Sequence, residues 1–227
     1  MKKLFIVAAC AFCIFTATAQ KTSSTSYLIS SSGNDAQSVR FGIRGGLNWA
    51  ILSGDFDNAL GSRIAYHVGV ITEIPLIYDF YMQTGFYFQS KGAVYKPYNV
   101  YPSRSKEAIN ALYLQIPILA SYCYDISDVF QMQVNFGPYF AYGVGGKYKL
   151  EERQGKEYYG FELDVFGDKG ILKNFDCGLQ IGGGITFVRH YYLGLTYEFG
   201  LTNMAKAKDA EVKPKNRNWM LSLGYTF

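Results

Sequence analysis

Beyond residue 15 the 227-residue chain has no apolar run approaching the roughly 20 residues that a membrane-spanning helix needs. A helical anchor in the mature protein is therefore excluded. Proline is scarce, and no extended stretch repeats its apolar residues at the helical period. Histidine occurs only at positions 67 and 190, and no grouping of His, Cys, Asp and Glu has metal-ligand spacing. A phosphate-binding glycine loop and a nucleophile elbow are both missing. Nothing here predicts a catalytic residue, a cofactor or a metal. The formal charge of +4 falls to +2 once Lys2 and Lys3 are subtracted, which excludes a strong electrostatic case for nucleic acid.

What is present begins with the layout of an export signal. Lys2 and Lys3 precede an apolar stretch over 4–15, and Ala17-Thr18-Ala19 supplies the small-x-small pattern of a cleavage site. Cleavage is expected after Ala19, giving a signal peptide at 1–19. Val7-Ala8-Ala9-Cys10 weakly resembles a lipoprotein box, but using it would cut the apolar stretch to about half its normal length. Residues 20–38 are rich in Ser, Thr and Asn without periodicity and read as a flexible periplasmic leader. The remainder, 39–227, reads as one domain.

In that domain an alternation of apolar and polar residues recurs eight times, over about 39–52, 64–75, 80–91, 111–124, 129–147, 174–188, 191–201 and 217–227. Each segment meets the roughly 9–11 residues with which a tilted strand crosses hydrocarbon. An even number of antiparallel strands can close on itself, leaving no unpaired edge for lipid. Joins at 76–79, 125–128 and 189–190 are short, whereas the other four are long and polar. Short periplasmic turns alternating with long outer loops are the pattern of an outer-membrane barrel. Aromatics on the apolar faces would then form two belts. Phe41, Phe80, Tyr122, Phe130, Phe187, Tyr191, Tyr225 and Phe227 mark the periplasmic ends; Trp49, Tyr66, Phe88, Tyr142, Phe175, Tyr197 and Trp219 mark the outer ends. Pro117 and Pro138 interrupt this scheme, because a bulge at either would reverse the faces beyond it. Cys123 and Cys177 fall on opposite faces, which argues against a disulfide.

Eight strands enclose an interior just wide enough for side chains to fill. The inward set places Arg44 and Glu73 towards the periplasmic end, and His67, Lys91, Lys147, Asp176 and Glu198 nearer the outside. A mutually neutralising polar plug is the main expectation, since buried charges need partners. The alternative is a small pocket or proton-transfer pair at the outer rim. His67 and Glu73 lie too far apart along one strand to form a dyad, roughly 20 Å at 3.3 Å per residue. His67 with a Ser on a neighbouring strand would be the route to a lipid-modifying enzyme. Of the loops, 204–216 sets Lys206, Lys208, Lys213 and Lys215 against Asp209 and Glu211 and could meet lipopolysaccharide phosphates. The 148–173 loop contains Tyr158-Tyr159-Gly160-Phe161, which could extend the barrel as a hairpin.

Several short motifs then occur in order. They are Phe41-Gly42-Ile43-Arg44-Gly45-Gly46-Leu47-Asn48, Gln89-Ser90-Lys91-Gly92, Tyr113-Leu114-Gln115-Ile116-Pro117, Gly137-Pro138-Tyr139, Phe175-Asp176-Cys177-Gly178, Gly200-Leu201-Thr202-Asn203 and the final Leu221-Ser222-Leu223-Gly224-Tyr225-Thr226-Phe227. In this order and spacing they resemble the PorT-like, "porin family" outer-membrane β-barrel domain, over nearly the whole mature chain. Gln115 stands where that family usually has Glu. The resemblance implies an all-β, antiparallel up-and-down transmembrane barrel of eight strands in the bacterial outer membrane, with both termini periplasmic. It also implies insertion by the barrel assembly machinery, which reads a terminal strand ending in Phe227. Expected partners are outer-membrane lipid, lipopolysaccharide and other envelope proteins, with no nucleic acid. The expected function is non-enzymatic, structural or interaction-based through the outer loops. The alternatives are a narrow pore or ligand-transfer barrel, a secretion-associated PorT-type component and a lipid-modifying enzyme.

Overall fold

The computed structural model describes residues 38–54, 60–95, 103–154, 157–168, 170–206 and 213–227. The expected signal segment and nearly all of the leader lie outside them. Among the described residues there are ten strands: β1 (Arg40–Ser53), β2 (Leu60–Gly61), β3 (Arg63–Ile77), β4 (Phe80–Tyr95), β5 (Ser103–Asp125), β6 (Phe130–Gln154), β7 (Glu157–Asp164), β8 (Phe175–Phe187), β9 (Tyr191–Gly200) and β10 (Lys215–Thr226).

Eight of them form a closed antiparallel ring. Pairing runs β1–β3–β4–β5–β6–β8–β9–β10 and returns to β1, where Gly42 faces Thr226 and Trp49 faces Trp219. Closure follows from the sequence period. On β3, for example, Ile64, Tyr66, Val68 and Val70 are exposed outward while Ala65, His67, Ile71 and Glu73 are buried inside. The described residues contain no helix long and apolar enough to cross a membrane. The closed ring leaves no strand edge unpaired.

Neither proline reverses a face. Pro117 is buried inward between Gln115 and Leu119, and Pro138 is exposed outward between Phe136 and Phe140. Around Pro117 the β4–β5 ladder has a gap, yet Thr84 still faces Ile118 and Tyr87 still faces Gln115. The Thr84 hydroxyl donates to the Pro117 carbonyl at 2.8 Å. A missing donor here leaves an opening in the ladder without shifting its register.

The β3–β4 ladder shifts register at Pro75/Ile77, near the turn, and the β5–β6 ladder carries a bulge. Leu112 faces Gly145 and Tyr113 faces Gly143, so Val144 is the extra residue on β6. Beyond it the faces exchange, and Lys147 turns outward with its side chain 56 % exposed. The expectation that Lys147 belongs to the interior is thereby corrected. At the same point β6 changes neighbour: Phe130 to Tyr142 pair with β8, and Lys147 to Gln154 pair with β7. The hairpin expected around residues 158–161 is this β6–β7 pair. Together β2, β4, β5, β6 and β7 continue past the ring as a sheet, called here the plate.

Both aromatic belts form. At the turn end Phe80 packs on Tyr122 at 5.0 Å, Phe130 on Phe187 at 5.2 Å, and Tyr225 on both Tyr191 and Phe227 at 5.5 Å. At the loop end Tyr197 packs on Trp219 at 4.7 Å and Tyr66 on Phe88 at 6.4 Å. Cys123 lies inside the ring and Cys177 on its outer face, both as free thiols.

Candidate functional site

The side chains that combine charge, burial and mutual contact all lie inside the barrel, in tiers set by register. Nearest the turn end is a carboxylate held by two arginines. Glu73 Oε2 meets Arg40 Nη2 at 3.0 Å, and its Oε1 meets Arg44 Nη2 at 3.3 Å. Gln133 donates to Glu73 at 2.8 Å and to Gln83 at 3.0 Å. The Arg44 guanidinium also lies 3.6 Å from the centre of the Tyr192 ring. This is the Arg44–Glu73 pairing expected from their shared level, enlarged by Arg40.

The middle tier centres on His67. Its Nδ1 is 2.6 Å from Asn48 Oδ1 and its Nε2 is 2.9 Å from Ser222 Oγ. The Asn48 amide nitrogen donates to the Ser90 backbone carbonyl at 3.2 Å, a group that can only accept. This orients Asn48, so His67 donates from Nδ1 and accepts the Ser222 hydroxyl proton at Nε2. Serine, histidine and an orienting amide thus stand in the order a nucleophilic triad requires. His67 and Ser222 are 2 % and 6 % exposed, however, enclosed between the tiers above and below. The hydroxyl that this arrangement polarises is buried inside the barrel.

The third tier is built on Lys91, whose ammonium is 2.8 Å from Glu198, 3.8 Å from Asp176 and 3.0 Å from Gln115. It also lies 4.4 Å from the centre of the Tyr139 ring. Glu198 accepts from Gln115, from Gln180 at 3.1 Å and from Asn218 at 3.1 Å. Asp176 accepts from Asn216 at 2.8 Å and from the Tyr139 hydroxyl at 3.2 Å. Lys91, Asp176 and Glu198 were three of the five residues expected nearer the outside, and these three come together, whereas Lys147 is outside the ring and His67 lies a tier below. Of the amides that join them, only Gln115 was singled out in the sequence, as a departure from the family's usual Glu. Their signal was available, since Gln89, Gln115, Gln180, Asn216 and Asn218 all fall on inward faces.

Above this tier the mouth is closed by apolar residues. Val165, Phe166, Leu172 and Met204 fold from the β7–β8 and β9–β10 connections onto Leu52, Ala93, Ile109, Ala111 and Tyr113. Phe166 meets the Tyr113 ring edge-on at 5.3 Å. It occupies the space a side chain at Gly143 would need, where a Cβ would lie 2.3 Å from the Phe166 ring. The two connections are tied by a Leu172–Ala205 bridge and by Lys173 N donating to Met204 O at 2.9 Å. Lys206 donates to the carbonyls of Gly167 and Asp168. Lys208, Asp209 and Glu211 lie outside the described residues.

The plate has two unlike faces. Tyr95 and Tyr148 pack inward over the mouth, and Tyr148 donates to Glu107 at 2.8 Å. Burial, reinforced by that carboxylate, pushes the Tyr148 phenol up to about 12. Outward, Glu162 bridges Lys147 at 2.6 Å and Lys149 at 2.8 Å. Hydrogen bonds from the two lysines hold the Glu162 carboxyl down at about 2. Among the described residues no cluster of His, Cys, Asp and Glu forms a metal site.

Three solved outer-membrane proteins are similar to the chain at low identity. Neisserial surface protein A is 13 % identical, with 84 % of this chain and 98 % of that one covered at a TM-score of 0.44. OprG from Pseudomonas aeruginosa is 13 % identical, covering 83 % and 95 % at 0.44. The outer membrane enzyme PagL is 12 % identical, covering 80 % and 97 % at 0.38. No curated protein matches the chain. Residues 19–206 match the family described as Outer membrane protein beta-barrel domain, and the chain belongs to that family of the bacterial outer membrane.

Proposed function

We propose that this protein is a sealed, non-enzymatic barrel of the outer membrane that anchors and displays its plate as an interaction surface. The observation that carries this reading is the lumen. Three tiers of paired polar groups and an apolar cap occupy it from one end to the other, with Tyr113, Tyr139, Lys91, Gln89, Gln115 and Glu198 all fully buried. A pore or transfer barrel requires an open path along the axis, and a serine hydrolase requires access to Ser222. The part that continues past the ring is the plate, whose outer face carries Lys147, Lys149 and Glu162 and is covered by no strand among the described residues.

In this reading the loop end faces the outside and both ends of the barrel domain lie in the periplasm, in keeping with short turns at one rim and long connections at the other. The narrower PorT-like resemblance supplies an envelope setting, and envelope proteins are the partners proposed for the plate. Planar-bilayer recording tests the sealed lumen: the purified barrel should show no steady unitary conductance, and reproducible channels would overturn the proposal. Cysteines placed at Lys149 and Asp128 test orientation. A membrane-impermeant maleimide should label only the former in intact cells.

A further inference from the structure

The lipid-facing wall is almost free of charge. β1, β8 and β9 present no charged side chain outward; Lys215 and Arg217 of β10 do, and Arg63 at the loop end of β3 is engaged by the Ser90 hydroxyl at 2.9 Å. Their level is fixed by register. Trp219 faces Trp49 on one side and Tyr197 on the other, and Arg217 lies one pair further towards the loop end, facing Ile51 and Phe199. Those Trp and Tyr side chains belong to the belt that marks the headgroup layer. Arg217 therefore stands at headgroup height, above an exposed strip of Leu47, Leu195 and Leu221 suited to an acyl chain.

The guanidinium is already positioned. It lies 4.2 Å from the centre of the Phe199 ring, and its Nη1 donates to the Tyr197 hydroxyl at 3.1 Å. Its Nε is buried without a partner. No described carboxylate lies within ion-pair distance of Arg217 or Lys215, in contrast to Lys91, Arg40 and Arg44, each of which has one. An arginine fixed by an aromatic face, with free donors and a second cation two residues away, is suited to a phosphate ester. Its height on the wall selects a lipid-borne phosphate over a soluble one.

We infer that Arg217 and Lys215, backed by Phe199 and Tyr197, form an external binding site for the phosphate of a membrane lipid whose chain lies along Leu47, Leu195 and Leu221. The site depends only on the barrel wall and stands whether or not the lumen conducts.

Native mass spectrometry of the delipidated, refolded barrel tests it, titrating in turn diphosphorylated lipid A, the same lipid with its phosphates removed, phosphatidylglycerol and inorganic phosphate. One tightly retained phosphorylated lipid is expected. Arg217→Gln should weaken its retention roughly tenfold, the factor for one lost charge-assisted hydrogen bond. Lys149→Gln, in the plate, should leave it unchanged. Preference for lipid A over phosphatidylglycerol would identify a glycolipid site, and the reverse order a phospholipid site; either supports a lipid phosphate. Equal retention of the dephosphorylated lipid by the unaltered protein would overturn the inference, even if Arg217→Gln fails to fold. So would inorganic phosphate binding as tightly as the lipid, or a folded Arg217→Gln barrel with unchanged retention.

Discussion

His67 and Ser222 stand on strands that do not pair with each other, and they meet at 2.9 Å across Gly46 of the strand between them. Gly46 faces His67 on β3 and Ser222 on β10, so the missing side chain is the gap through which the contact passes. The same residue lies on the β1–β10 seam that closes the ring.

Gly46→Ala is therefore expected to weaken closure itself. An added Cβ would lie 1.9 Å from the Leu221 carbonyl oxygen and 3.0 Å from the His67 ring, and backbone must move to admit it. The cost should fall near the 1–3 kcal/mol typical of overpacking, about 2 kcal/mol. Urea unfolding in detergent micelles measures it. Ser222→Ala removes the hydrogen bond but leaves the seam intact, at a cost of about 1 kcal/mol. Identical losses in the two variants would mean that Gly46 acts only through the hydrogen bond.

Lys91 supports the third tier because two carboxylates depend on it. Lys91→Met should cost about 3–5 kcal/mol, since Glu198 and Asp176 are left buried without a cation. Adding Glu198→Gln and Asp176→Asn removes that unpaired charge and should restore most of the stability. A triple variant no more stable than Lys91→Met would show that the loss comes from packing around the lysine stem and not from charge.

The period-2 pattern made the ring legible, because a strand lining a barrel shows its two faces directly in sequence. Arg44, Glu73, Lys91, Asp176 and Glu198 fell on the interior for that reason. Lys147 did not, because one unpaired residue at Val144 reversed the alternation and no proline marked the place; the Gly145-Gly146 pair beside it was the only local sign. The prolines that did invite concern cost ladder bonds and no register. His67 was recognised as the interior histidine, but its serine partner was unassigned. Contacts across an intervening strand depend on the relative register of three strands, which alternation within each one does not contain.

The Glu162 bridge predicts acid behaviour of the plate alone. Its carboxyl is held down at about 2, so the charged form is favoured by folding. That contribution is present above the ordinary carboxylate value and is lost as pH falls through about 2. The partner's shift agrees in sign: Lys147 is raised, chiefly by its hydrogen bond to Glu162, so its share disappears only as pH rises through that raised value. Protection of β7 amides, taken relative to the intrinsic exchange rate at each pH, should hold from neutral pH down to about 4.5 and fall progressively between there and about 2. Glu162→Gln should lower it already at neutral pH while the melting temperature of the ring stays unchanged, since an exposed bridge contributes little to global stability. Slow β7 exchange in Glu162→Gln at neutral pH would show that backbone pairing alone holds the hairpin.

The cap and the Lys91 tier should seal the lumen in series. Phe166 is the centre of the cap, lying over Gly143 and against Tyr113, and Phe166→Ala removes the ring from the mouth. Water then reaches Tyr113 and Lys91 but meets the closed network of Lys91, Glu198, Asp176 and their amides. Phe166→Ala alone should remain silent in planar bilayers. Lys91→Ala alone should also be silent, because the cap still covers it. Combining them with Glu198→Gln and Asp176→Asn, so that no unpaired carboxylate remains to collapse the tier, leaves the His67 tier and the Arg44–Glu73 layer as the remaining barriers. The quadruple variant should show brief, low-amplitude openings that lengthen when Arg44→Ala is added. Steady conductance from Phe166→Ala by itself would mean that the polar tiers hold no seal, and that the cap alone keeps the barrel closed.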